Sequence, residues 1–87
     1  MERTITKEDY ESKFDGMISA VTPVFEPKLV ECMIECRDLG YDATGNFDPE
    51  KYQQAVTSCF NSKVGRVVPF LAGVIVGMAI HAYIVSR

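Results

Sequence analysis

Residues 67–85 read VVPFLAGVIVGMAIHAYIV, 19 positions without an Asp, Glu, Lys or Arg. A helix of that length rises about 28 Å, close to the ~30 Å hydrocarbon thickness of a bilayer. Arg66 precedes the stretch, and Ser86 and Arg87 follow it. The pattern predicts a single C-terminal transmembrane helix. The alternative is a core helix buried on all sides. The remainder of the chain, about 66 residues, lies near the lower limit for an independent core and offers little cover for one.

Within the stretch, Gly65, Pro69, Gly73, Gly77 and His81 recur every fourth residue. That spacing aligns them on one slowly drifting helix face. Gly73 and Gly77 form a GxxxG, which lets another backbone approach where lipid supplies no hydrophobic drive for association. A polar ring such as His81 faces protein or water in a membrane helix rather than acyl chains. Pro69, Gly73, Gly77 and His81 are therefore the expected helix-packing residues. No acidic neighbour accompanies His81, so the line is not a proton relay.

Upstream, residues 1–63 read as an amphipathic helical region, distinct from the membrane helix of residues 64–87. Thr6 is an N-cap signal, with Glu8 and Asp9 in the first turn. Tyr10, Phe14, Met17, Ile18 and Val21 recur at helical spacing, and Pro23 ends that helix. Pro27 opens a second helix, with Gly40 as its stop. Leu29, Val30, Met33, Ile34, Cys36 and Leu39 form its apolar face. Glu31, Glu35 and Asp38 form a solvated acidic strip. Asp48 and Pro49 open a third helix carrying Tyr52, Ala55, Val56, Cys59 and Phe60. It either breaks near Gly65 or runs on with a bend at Gly65 or Pro69. The second and third helices form a helix–loop–helix hairpin closed by residues 41–47. That loop is no calcium site: with Gly45 at the sixth loop position, Gly40 and Lys51 fall at the first and last, and neither supplies a carboxylate. The fold class is all-α: short amphipathic helices, then one C-terminal transmembrane helix.

Cys32, Cys36 and Cys59 make an odd set. Cys32 and Cys36 sit one turn apart and are poorly placed to bond each other. About the loop centre near Thr44, Cys59 mirrors Leu29, next to Cys32, so a Cys32–Cys59 disulfide is within reach. The reading as three small packed hydrophobes stands beside it. A C-x3-C on a helical hairpin resembles the twin-cysteine proteins of the mitochondrial intermembrane space, but the second pair is missing here.

The formal charge of −3 argues against nucleic acid. The acidic N-terminus has no apolar core and is neither a secretory signal nor an Arg-rich transit peptide. Lys63 and Arg66 before the stretch, against Arg87 after it, place the N-terminal region in the cytosol or the mitochondrial matrix. Those compartments keep thiols reduced.

No catalytic constellation is present. The one histidine lies in the apolar stretch, no phosphate-binding Gly-rich loop occurs, and no cofactor or metal is implied. The chain is not expected to be an enzyme or to take a small-molecule substrate. The amphipathic stripes exceed what so few residues can bury among themselves, which points to partners.

A helical N-terminal part followed by an apolar helix with Gly73 and Gly77 resembles subunit g of mitochondrial ATP synthase. The resemblance covers the architecture and the 73–77 motif. It implies a single-pass accessory subunit of the inner membrane, in ATP synthase or a respiratory complex, packed against other membrane subunits and the lipid bilayer. The alternative is a tail-anchored adaptor or import component of the mitochondrial outer membrane or endoplasmic reticulum. A disulfide-stapled domain in the intermembrane space is the third reading.

Overall fold

Thr6 opens the first helix: its hydroxyl accepts the Asp9 N–H at 3.1 Å, satisfying one of the orphan donors of the first turn. The computed structural model describes residues 5–65 and 71–85, without the side chains of residues 71 and 72. Helix α1 runs Lys7–Val21 and α2 runs Pro27–Glu35, followed by a 3₁₀ turn at Arg37–Leu39. Helix α3 runs Pro49–Val64, and α4 runs Leu71–Ile80 and continues as a π-helix over His81–Val85.

The N-cap of α3 is Asp48, whose carboxylate accepts from the N–H groups of Glu50 and Lys51. Its other end is set by Gly65 at φ +74, a left-handed cap that a side chain would strain. Helix α2 is shorter than its apolar pattern predicts. Two tyrosine hydroxyls bond carbonyls at its end and just beyond it: Tyr52 donates to Met33 O at 2.7 Å and Tyr10 to Arg37 O at 2.9 Å. The Met33 carbonyl is the one that a further α-helical turn would use for the Arg37 N–H. Leu39 therefore turns outward, and Leu39 and Ile34 are exposed rather than core residues.

The core has an aromatic end. Tyr10 stacks on Phe47 with centroids 4.0 Å apart and meets Phe14, Tyr41 and Tyr52 edge-on. Phe47 is held by antiparallel bridges to Ile5 and Tyr41. Asp42 shapes the intervening loop by accepting from Thr44 N, the Thr44 hydroxyl and Asn46 N. Those bonds, the Thr44 hydroxyl first, hold its carboxyl below the usual range.

The expected transmembrane helix is corrected here. Among the described residues no helix is long and apolar enough to cross a membrane. Helix α4 has 10 residues, about 15 Å of rise, and it packs on α3 while its π-helical continuation packs on α1. Val76, Ala79, Ile80 and Ile84 are buried in the same apolar cluster as Phe14, Val56 and Phe60. The helix needs no cover all round: one side meets α1 and α3, while Val74 and Met78 on the other stay exposed. The radius of gyration, 12.2 Å, matches the ~12 Å of a compact domain of this length. The single-pass topology and the tail-anchored alternative both need the span and go with it. So does the charge argument: Lys63, read as a membrane flank, pairs with Glu35 of α2 at 3.1 Å.

Candidate functional site

Four of the singled-out residues concern helix packing, and the structure puts two of them inside the fold. Gly73 and Gly77 face α3 of the same chain. The Gln53 side-chain amide donates to Gly73 O. A Cβ on Gly77 would lie 2.9 Å from Gln53 Nε2, and one on Gly73 would lie 3.4 Å from Thr57 Oγ1. The small residues thus admit α3 rather than a partner's helix. His81 is exposed at the start of the π-helix, and Pro69 lies outside the described residues.

Cys32 and Cys59 are joined by a disulfide that ties α2 to α3 across a Cα–Cα distance of 5.7 Å. Cys36 is free and buried, and burial together with Glu35 raises its thiol pKa. The reduced-thiol reading therefore fits Cys36 alone. Among the described residues no three of His, Cys, Asp and Glu come together as a metal site. Burial also holds the Tyr10 and Tyr52 phenols far above their usual value, but their hydroxyls are spent on backbone carbonyls.

The surface feature that sequence reasoning missed is an apolar groove of about 820 Å³ at the end of the molecule away from the aromatic cluster. One wall is the end of α1 and the turn after it, with Ala20 and Val24. The other is α4 and the π-helix, with Met78 and Tyr83. Leu29 and Phe60 lie between them. Val24 is 76% exposed, Met78 66% and Tyr83 45%, so the lips present large apolar side chains to solvent. Glu26 is the only charged residue among the described residues lining the groove. It is the N-cap of α2, yet its side chain makes no capping bond. A signal was available in the sequence: Val24 and Phe25 are apolar residues in a connection, where nothing in the helical stripes calls for them.

The sequence matches no family model, and no curated protein and no solved structure is significantly similar to it.

Proposed function

We propose that the protein is a non-catalytic accessory subunit that docks on larger partners through its apolar groove. The observation that carries this is the clustering of exposed Val24, Met78 and Tyr83 on the groove's lips. Contiguous exposed apolar surface marks interaction sites. The Cys32–Cys59 disulfide supports residence in an oxidising compartment rather than the matrix or cytosol. The resemblance to subunit g of mitochondrial ATP synthase rests on a membrane helix with a free Gly73–Gly77 face, and with neither among the described residues it names no host. Pairing through Gly73 and Gly77 is no part of the proposal, because α3 occupies that face.

The test is a native gel of mildly solubilised cells, probed for this chain. Migration with an assembly far larger than the chain is the expected result, and the companion bands identify the host. Migration only as a small species overturns the proposal. Thiol alkylation before and after reduction reads the compartment: two thiols that become reactive only after reduction are expected.

A further inference from the structure

We propose that the occupant of the groove is an amphipathic helix of a partner protein, flanked by a basic residue that pairs with Glu26. The inference rests on the docking reading above and adds the partner's chemistry. Shape argues for a helix. The groove is an open trough between two helical walls, whereas small-molecule sites enclose most of their ligand. A helix about 10 Å across would cover Val24, Met78 and Tyr83 together, with anchors at i, i+3 or i+4, and i+7 entering between the walls. Methionine on the wall suits this use, because its unbranched side chain repacks around different anchors.

Charge argues for a basic flank. Glu26 stands exposed at the groove with no capping bond to occupy its carboxylate. The chain as a whole carries −3, which favours a basic partner over an acidic one, and Glu26 is the charge that lies at the groove itself. The same charge disfavours an anionic amphiphile as occupant.

The experiment uses the full chain and two labelled synthetic helices of about 18 residues, enough for five turns. Both carry the same leucine stripe; one has lysine at both ends, the other glutamate. Binding is read by fluorescence polarisation at low salt. The lysine helix is expected to bind about three- to five-fold more tightly, as an exposed ion pair allows, with the difference shrinking at high salt. Glu26→Gln removes the preference and Glu26→Lys inverts it. Met78→Glu weakens both helices about ten-fold or more. Because Glu26 and Met78 are exposed, thermal melts of the variants confirm an intact fold. Equal binding of the two helices, or a preference that survives Glu26→Gln, overturns the inference while leaving the docking reading in place. Binding of neither helix also overturns it, and the native gel then decides the docking reading separately.

Discussion

The two ends of this small bundle are built in opposite ways. At one end five aromatic rings pack edge-to-face and stacked, and the buried tyrosine hydroxyls close on backbone carbonyls. At the other end a groove stays open between the turn after α1 and the outer face of α4, and large apolar side chains line it without covering it. Both ends are apolar in sequence. The difference is whether the chain's own side chains complete the packing, and it separates residues that hold the fold from residues offered to a partner.

The largest effect expected at the closed end comes from alkali. Burial raises the pKa of Tyr10 and Tyr52 above the usual value near 10. The unfolded chain gives up those protons from about pH 10, while the folded chain keeps them. The stability these two phenols contribute is therefore intact below pH 10 and falls as pH rises beyond it. While the folded phenols keep their protons, each pH unit removes about 1.4 kcal/mol per phenol. Phenolate absorbance from these two residues should appear together with loss of helical signal. Full ionisation while the helices persist would show that the aromatic end is open, and the comparison would fail.

The disulfide comes next. It closes a separation of 27 residues, and the chain-entropy relation gives about 3.5 kcal/mol for a loop of that size. Cys32→Ser with Cys59→Ser should lower the urea midpoint accordingly, with reducing agent having no further effect on the double variant. A native protein whose midpoint is indifferent to reducing agent would place the strength of the closed end in the aromatic packing alone. Tyr52→Phe is a finer cut through the same region. It keeps the ring and leaves the Met33 carbonyl without its donor, at a cost of about 1–3 kcal/mol.

These contacts mark what could be read from sequence and what could not. Thr6, Pro27 and Asp48 announce helix starts because capping chemistry is local, and all three sit at or beside the starts they signal, while Gly65, read as either a break or a bend, caps α3. Of the stripe Tyr10, Phe14, Met17, Ile18 and Val21, all are buried as the spacing implies except Ile18, which is only partly so. The surroundings of the α2 end were illegible because Tyr10 and Tyr52, which bond carbonyls there, are remote in sequence from them. Residues 67–85 misled for a related reason. Hydropathy measures how apolar a stretch is, not what covers it. The described part of that stretch buries Val76 and Ile80 on its own chain while leaving Val74 and Met78 exposed. Gln53 offered no signal at all: a glutamine on an amphipathic helix reads as solvated until a glycine backbone comes against it.

The glycines of α4 test that contact at the scale of about 1 kcal/mol. Gly16 in α1 has no atom within 4 Å of a built Cβ, so Gly16→Ala should stabilise by about 0.5–1 kcal/mol through helix propensity. Gly73→Ala meets Thr57 at ordinary contact distance and should behave similarly. Gly77→Ala must displace the Gln53 amide and with it the bond to Gly73 O, which offsets the propensity gain. Thermal melts should therefore rank Gly77→Ala about 1 kcal/mol below the other two. Three equal gains would mean that α3 and α4 have room between them.

The smallest effect on stability belongs to the groove, and its smallness is the point. Val24→Asp and Met78→Glu replace side chains already more than half exposed, so folding gains little from them. Each should shift stability by no more than about 0.5 kcal/mol. The same two changes put charge into an apolar trough that a docking partner must desolvate, and they should abolish co-migration with the larger assembly. A loss above 1 kcal/mol from either would mean that the lips pack onto the core in solution, making the open end a second closed one. A small loss with co-migration intact would mean that the apolar lips serve neither the fold nor the assembly. Only stability kept together with assembly lost assigns the open end to a partner.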